Sequence, residues 1–150
     1  QATSRPIGFV TPKDSKNKYE VSKEFDFIYL DRVLHSSVVF PGAYGLVPRT
    51  YYDDGDPVDA MVMLSEPTFP GCVVEAKPIG VLRMRDEKGV DDKLLCVAIG
   101  DPRNREIDAL EDIPQHYLDE IVGGIALIIG YLIFAVFENL SRRLGTMDKF

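Results

Sequence analysis

Four aspartates fall within the seven residues 53–59, and the segment that follows them, residues 60–64, is apolar. Carboxylates this close together repel one another, so a folded chain normally offsets the repulsion with metal ions or basic side chains. Hard oxygen ligands on a turn beside a buried strand favour Mg²⁺, an ion that commonly works on phosphate groups. The alternative is an ordinary solvated turn, because Asp-Gly and Asp-Pro pairs are frequent in turns. The segment alone does not decide between the two interpretations.

Residues 84–93 form a second acidic segment, with four carboxylates followed by Lys93. Each acidic segment adjoins apolar residues that resemble strands, so the two could face one another across a barrel mouth and hold several Mg²⁺ ions. Side chains that could hold phosphate oxygens precede them at Lys18, Arg32 and Tyr44. Any one of these residues is more often a solvated surface group than a ligand. Only the whole set, taken together, indicates a site.

Short apolar segments broken by glycine and proline run through residues 19–100. Four of them have the β-branched, aromatic or alternating character of strands: residues 25–30, 58–64, 73–85 and 93–98. Turn-forming pairs such as Pro41-Gly42 and Pro70-Gly71 lie between them. Several short strands at this spacing predict a small barrel or sandwich.

The character of the chain changes after residue 106, where residues 113–121 resemble a helix start with a proline in its first turn. Residues 121–137 carry no charge and are bounded by Glu120 and Glu138, without the polar stripe of a surface helix. Three interpretations compete: a helix buried in the core or an oligomer interface, a short membrane span with a cytoplasmic C-terminus, and a replaced tail. We expect this segment to be buried in protein.

Composition limits the function classes. A chain of 150 residues suffices for one domain with its own core, and a net charge of −7 argues against nucleic-acid binding. It does not argue against a phosphate substrate, because bound divalent ions reverse the local sign of charge. Cys72 and Cys96 lie in apolar surroundings and are expected as buried free thiols, which favours a reducing compartment. His35 and His116 share no zinc-ligand spacing, and residues 1–18 show no signal peptide, so a cytoplasmic location is expected.

Over roughly residues 8–121 the chain resembles the soluble family I inorganic pyrophosphatases. The family signature Asp-x-Asp-Pro-x-Asp is matched by Asp54, Asp56, Pro57 and Asp59. The match continues, in the same order along the chain, at residues 18–20, 31–33, 44–45, 70–71, 79–81 and 86–93. The resemblance implies a mainly β fold with some α structure, a small closed OB-like barrel of five strands with flanking helices. We expect this domain to occupy residues 1–121, followed by an unusually hydrophobic C-terminal helix and tail over residues 122–150.

The resemblance also implies a reaction, the Mg²⁺-dependent hydrolysis of pyrophosphate to two phosphates, and assembly into a homo-oligomer. By analogy with the family, the ions that activate the nucleophile would be held by Asp54, Asp59 and Asp91. A further ion that arrives with the substrate would be held by Asp86 and Asp91. Asp56 would orient and deprotonate the attacking water, with Glu20 bound to the metal shell. Phosphate oxygens would be held by Lys18, Arg32, Tyr44 and Lys93.

The chain departs from the family pattern in four places. It has Val10 where the family has a glutamate, Phe40 where it has a tyrosine, and Ala43 where it has an asparagine. From Val122 onward the sequence bears no resemblance to the family, whose helix here carries a Tyr-Lys pair that contacts phosphate. Loss of that lysine should weaken phosphate binding by about 1.5–3 kcal/mol, the size of a hydrogen bond to a charged group.

Two function classes therefore stay open. The first is an active Mg²⁺-dependent pyrophosphatase. The second is an impaired pyrophosphatase-like module that binds phosphate or metal or serves as a scaffold, with residues 121–137 as its membrane anchor in one version. We favour the enzyme, because mutually repelling carboxylates concentrate at functional sites and a relic would not need both clusters.

Overall fold

The structure, a computed structural model, describes residues 4–35, 37–50, 55–129 and 132–139, and it describes side chains in all of these except residues 9, 10, 129 and 132–139. The strands of the described chain are β1 Arg5–Thr11, β2 Asn17–Val21, β3 Ile28–Val33, β4 Ala43–Leu46, β5 Asp59–Met63, β6 Val73–Asp86, β7 Gly89–Val90, β8 Lys93–Ala98 and β9 Leu132–Asn139. A short 3-10 helix, Leu110–Asp112, precedes the helix α1, Gln115–Ile129.

Five strands close into a ring. They pair in the order β1, β4, β5, β8 and β6, and β6 pairs with β1 in turn. All these pairs are antiparallel except that of β5 with β8, which is parallel. The 14-residue β6 reaches β1 with its first four residues, β8 with its middle and β7 with its last residues. The closed arrangement of five strands predicted from the sequence is thus confirmed as a ring, while β2 and β3 form a separate hairpin.

Apolar layers cover both faces of the ring. One buried cluster draws on all five ring strands and so fills the interior, with Ala60 and Val62 of β5 among its members. The alternate residues Met61 and Met63 belong to a second cluster, which joins the outer face of the sheet to α1. Because successive side chains of a strand point to opposite faces, a strand buried on both faces is apolar throughout. This explains the continuous apolar segments that the sequence shows at β5 and β8.

Three of the four predicted strands are confirmed to within one or two residues, as β5, β6 and β8. The fourth, residues 25–30, is wrong in its first half, because β3 begins only at Ile28. Residues before it form the hairpin turn, where Asp26 has a positive φ of 54° and Ser22 N–H donates to Phe27 O at 2.8 Å. The aromatic content that suggested a strand belongs partly to Phe25 and Phe27, whose rings stack in this turn.

The uncharged segment 121–137 does not form a single helix. Its first part continues α1 to Ile129, with Ile121, Ile125 and Ile128 buried, whereas its second part is β9, which pairs antiparallel with β6. The expected C-terminal helix is therefore wrong over residues 132–139, because β-branched and aromatic residues favour a strand where a partner edge is available. The predicted boundary after residue 121 falls within α1 and stays a prediction. No helix in the described part of the chain is long and apolar enough to cross a membrane.

Candidate active site

Lys93 lies at the centre of the candidate site. Its side chain is only 1% exposed, and its Nζ donates to Asp59 Oδ2 at 2.8 Å and to Asp91 Oδ2 at 2.9 Å. The Tyr44 hydroxyl donates to the same Asp59 oxygen at 2.8 Å, and Lys93 Nζ lies 5.5 Å from the centroid of the Tyr44 ring. Burying an ammonium is costly unless it is paired and hydrogen-bonded, and these two carboxylates meet both needs. The structure thus brings four predicted site residues together.

Strand pairing explains this convergence. Ala60 of β5 lies opposite Leu94 of β8 in the parallel ladder, so the preceding residues Asp59 and Lys93 are neighbours at the same end of both strands. Asp91 is two residues before Lys93, and residues two apart on an extended chain share a face. The site therefore forms where two buried, parallel strands begin.

Phe40 supports the ring of Tyr44. The two ring centroids lie 5.8 Å apart with the planes tilted by 52°, a favourable aromatic geometry. Phe40 is fully buried and packs with Leu34 and Ile128, so it links α1 to the site. The sequence identified Phe40 only as a departure from the family. No local pattern in the sequence signalled its contact with Tyr44.

A second group of charges lies on the β2–β3 hairpin. Lys18 Nζ pairs with Glu20 Oε1 and, at 3.3 Å, with Asp31 Oδ2. The Tyr29 hydroxyl donates to Glu20 Oε2 at 3.0 Å, and this hydrogen bond to a carboxylate raises the pKa of Tyr29 above its usual value. Two of the predicted residues, Lys18 and Glu20, therefore contact each other. Sequence reasoning assigned no role to Tyr29 or Asp31, because the register that places them beside β2 is a property of the hairpin.

Arg32 reaches from the hairpin to the helix. Its Nη2 donates to the main-chain oxygen of Ile128 at 2.9 Å, in the last turn of α1, and its Nε lies 4.0 Å from Asp31 Oδ2. The C-terminal end of a helix carries partial negative charge, which favours a guanidinium there. The helix end therefore orients the side chain that the resemblance assigns to phosphate.

Asp56 and Asp86 make different contacts. Asp56 Oδ1 lies 2.8 Å from Nζ of Lys23, a residue in the turn of the β2–β3 hairpin. Asp86 Oδ1 accepts the main-chain N–H groups of Lys88 and Gly89 at 2.8 and 3.1 Å, which caps the turn between β6 and β7. Gly89 has a φ of +129° in this turn, a conformation that favours glycine. The catalytic role of Asp56 and the metal role of Asp86 stay predictions.

The carboxylate oxygens of the site are the type of ligand that binds hard cations. Among the residues whose placement is described, no three His, Cys, Asp or Glu side chains are gathered closely enough to hold a metal ion. Asp59 and Asp91 nevertheless converge on one cation, the Lys93 ammonium, and carboxylate oxygens are the ligands that Mg²⁺ prefers. Asp54, the predicted third ligand, lies outside the described residues.

Comparison with known proteins identifies the family. The sequence model of the family described as inorganic pyrophosphatase matches residues 9–123, close to the limits of the resemblance found in the sequence. An inorganic pyrophosphatase of Picrophilus torridus is 50% identical over 109 residues, 73% of this chain and 62% of that protein. One from Haloferax volcanii is 50% identical over 142 residues, 91% of this chain and 75% of that protein. The chain belongs to the inorganic pyrophosphatase family, and it spans less than two thirds of the first relative's length.

Solved structures agree with this assignment. The inorganic pyrophosphatase of Helicobacter pylori superimposes with a TM-score of 0.90 at 34% identity, covering 99% of this chain and 92% of that one. The enzyme of Thermus thermophilus gives a TM-score of 0.86 at 32% identity, with 96% of this chain and 87% of that one covered. The structural likeness therefore extends past the residues that the family model matches.

Proposed function

We propose that this protein hydrolyses inorganic pyrophosphate to two phosphates with Mg²⁺ as cofactor. The observation that carries the proposal is the contact of buried Lys93 with Asp59 and Asp91, in a chain of the inorganic pyrophosphatase family. Phosphoryl transfer depends mainly on positioning and charge neutralisation, and this group supplies both acidic ligands and a fixed cation. The alternative of an impaired binding module has no such specific observation in its favour.

Each residue has a part in the proposal. When bound, Mg²⁺ would supply a water of lowered pKa and offset phosphate charge. The ions would be held by Asp54, Asp59, Asp86 and Asp91, with Glu20 bound to their shell. Asp56 would accept the proton of the attacking water. Phosphate oxygens would receive hydrogen bonds from Lys18, Arg32, Tyr44 and Lys93.

A phosphate-release assay tests the proposal. Purified protein is incubated with pyrophosphate and increasing Mg²⁺, with nucleoside triphosphates as the specificity control. We expect release that requires Mg²⁺ and is much faster with pyrophosphate than with the triphosphates. Release no faster than in a blank without protein would refute the proposal. Asp108→Asn is a suitable control variant, because Asp108 pairs with Lys77 away from the site.

We also propose a cytoplasmic location. Cys72 and Cys96 are free thiols, which is typical of proteins in reducing compartments. Cys96 is fully buried as expected, and its burial raises the pKa of the thiol, whereas Cys72 is only half-buried. Fractionation of the source cells, with detection by an antibody, checks this location.

Assembly into a homo-oligomer is the last part of the proposal. It is supported by apolar side chains exposed on the β2–β3 hairpin and the turn before β6: Val21, Phe25, Phe27, Tyr29, Leu30, Val33, Phe69 and Val73. A concentration of exposed apolar side chains is typical of protein interfaces, and the family resemblance makes a second copy the expected partner. Sedimentation over a range of concentrations should show a larger species, which Leu30→Ser weakens. The matched control is Val90→Ser on β7, an exposed apolar side chain outside this region, and a monomer at every concentration would refute assembly.

A further inference from the structure

The ladder along β6 is interrupted at Met84. On one side Arg85 pairs with Val90 of β7, and on the other Leu82 pairs with Lys93 of β8. The residues between these pairs, 91 and 92, belong to neither strand. Main-chain groups beside such an interruption need other partners, since unpaired buried donors and acceptors are costly.

Asp91 and Asp92 supply those partners in two different ways. The main-chain N–H of Asp91 donates to Met84 O at 2.9 Å, as in a ladder. The N–H of Met84 donates instead to a side chain, Asp92 Oδ1, at 3.3 Å. The Asp92 carboxylate thus closes the gap in the ladder and ties the segment that presents Asp91 to β6.

Arg83 completes this arrangement. Its Nη1 donates to Asp92 Oδ2 at 3.0 Å, so each oxygen of a carboxylate that is only 8% exposed accepts a hydrogen bond. A hydrogen bond between charged groups is shorter and stronger than one between neutral groups. We define Arg83 and Asp92 as the rear pair.

The rear pair lies on the opposite face of the chain from the site. Residues 91 and 93 share one face of the extended segment, where their side chains meet at 2.9 Å, and residue 92 points the other way. Asp92 therefore holds the main chain from behind while Asp91 faces Asp59 and Lys93. The contact of Asp92 with Arg83 fixes that hold.

We propose that Arg83 and Asp92 are positioning residues for the metal site: they fix the segment that presents Asp91 without contacting ion or substrate. The inference rests on the proposed function, since it assigns Asp91 to Mg²⁺. Residues that orient a metal ligand from outside the ligand shell commonly change metal affinity by 10–100-fold when replaced. The rear pair is expected to act in the same way.

Two measurements that require no turnover test this inference. The first is Mg²⁺ affinity by titration calorimetry, where Arg83→Met and Asp92→Ala should each weaken binding about tenfold. The second is hydrogen exchange of the Asp91 amide in metal-free protein, which should accelerate about tenfold in the same variants, because the hydrogen bond to Met84 O loosens. Asp92→Asn keeps an oxygen for Met84 N–H and should give smaller effects. Lys77→Met, which breaks another ion pair of β6, should change neither quantity.

The outcomes separate the two proposals. The double variant Arg83→Met/Asp92→Ala should be no weaker in Mg²⁺ binding than Asp92→Ala alone, because both act through one contact. Affinity and exchange within twofold of wild type in Arg83→Met and Asp92→Asn would overturn the inference, even if pyrophosphate is hydrolysed. Wild-type protein that binds no Mg²⁺ would overturn both proposals. Should Asp92→Ala fail to fold, Arg83→Met and Asp92→Asn decide the question.

Discussion

Lys93 and Asp59 are 34 residues apart in the sequence, yet Nζ of one lies 2.8 Å from Oδ2 of the other. They meet because the strands that they begin, β5 and β8, run parallel in the ring. The lysine is almost completely buried, whereas about a third of the Asp59 side chain is exposed. Both carboxylates are therefore more accessible than the ammonium between them, and a metal ion can approach them from solvent.

Replacing Lys93 with methionine should destabilise the fold and increase its dependence on Mg²⁺. Asp59 and Asp91 would lose the cation between them, at a cost of about 2–3 kcal/mol, lower than for a fully buried pair because both carboxylates are partly exposed. Added Mg²⁺ binds only the folded state and should recover more stability in Lys93→Met than in wild type. Urea unfolding with and without Mg²⁺ measures both quantities. An equal response of the two proteins to Mg²⁺ would contradict this prediction.

Asp56→Asn and Asp59→Ala should each abolish phosphate release from pyrophosphate in the presence of Mg²⁺. Asp56→Asn preserves the shape of the side chain but removes the proton acceptor, so the rate should fall about 10²–10⁴-fold. Asp59→Ala removes the carboxylate that both Tyr44 and Lys93 contact. Initial rates at saturating Mg²⁺, with circular dichroism as the folding control, provide the comparison. If Asp56→Asn or Asp59→Ala releases phosphate about as fast as the control Asp108→Asn, the replaced aspartate is not part of the catalytic group.

The parts of the fold that sequence could predict are those with a local cause. Apart from the charged residue that begins each strand, β5 and β8 are apolar because both of their faces are buried, and Pro41-Gly42 and Pro70-Gly71 mark turns by their backbone chemistry. The ring closure between β1 and β6 has no such local signal. β9 has no local signal either. Its residues continue the uncharged segment of the preceding helix, and they form a strand because β6 offers an edge with which to pair.

The same distinction applies to the candidate site. The spacing of the aspartates and the family resemblance identified Asp59, Asp91 and Lys93 before the structure placed them in contact. The hydrogen bond of Arg32 to Ile128 joins residues 96 positions apart and uses a main-chain oxygen, so no side-chain pattern records it. Contacts of this kind depend on how α1 packs against the sheet, and only the assembled fold reveals them.

The stability of the protein should fall in acid partly because of Asp101. This carboxylate is 6% exposed, and burial alone would raise its pKa, but hydrogen bonds from Ser65, Arg103 and Asn104 outweigh burial and lower the pKa below its usual value. Because the pKa of Asp101 is lower in the folded state than in the unfolded state, its stabilisation is complete above the unfolded-state pKa of about 3.9. The stabilisation is lost as the pH falls through the folded-state pKa. Asp101→Asn should therefore show a shallower loss of stability between about pH 5 and pH 2.

Urea unfolding of wild type and Asp101→Asn across this pH range measures the effect. At pH 7 the variant should be less stable by about 1.5–3 kcal/mol, the value of a hydrogen bond to a charged group. Asp108→Asn is the matched control, because Asp108 is exposed and pairs with a single lysine among the contacts described. Parallel pH profiles of wild type and Asp101→Asn would contradict the assignment of acid sensitivity to Asp101.

Gly80 sets the distance between β6 and the 3-10 helix, and Gly80→Ala should destabilise the protein by about 1–3 kcal/mol. A Cβ at this position would lie 2.8 Å from Leu110 Cδ2 and 2.9 Å from Leu110 Cδ1, closer than real contacts allow. Leu110 is buried between the sheet and α1, so it has little room to move. Leu110→Ala alone leaves a cavity. In the double variant Gly80→Ala/Leu110→Ala, the new methyl group occupies part of that cavity. The double variant should therefore lose less stability than the two single variants together. Thermal and urea unfolding of the four proteins complete this cycle. Gly8→Ala is the control for the substitution itself, because a Cβ at Gly8 would have no atom within 4 Å. Strictly additive losses of stability would show that the close approach of Gly80 to Leu110 does not constrain the packing.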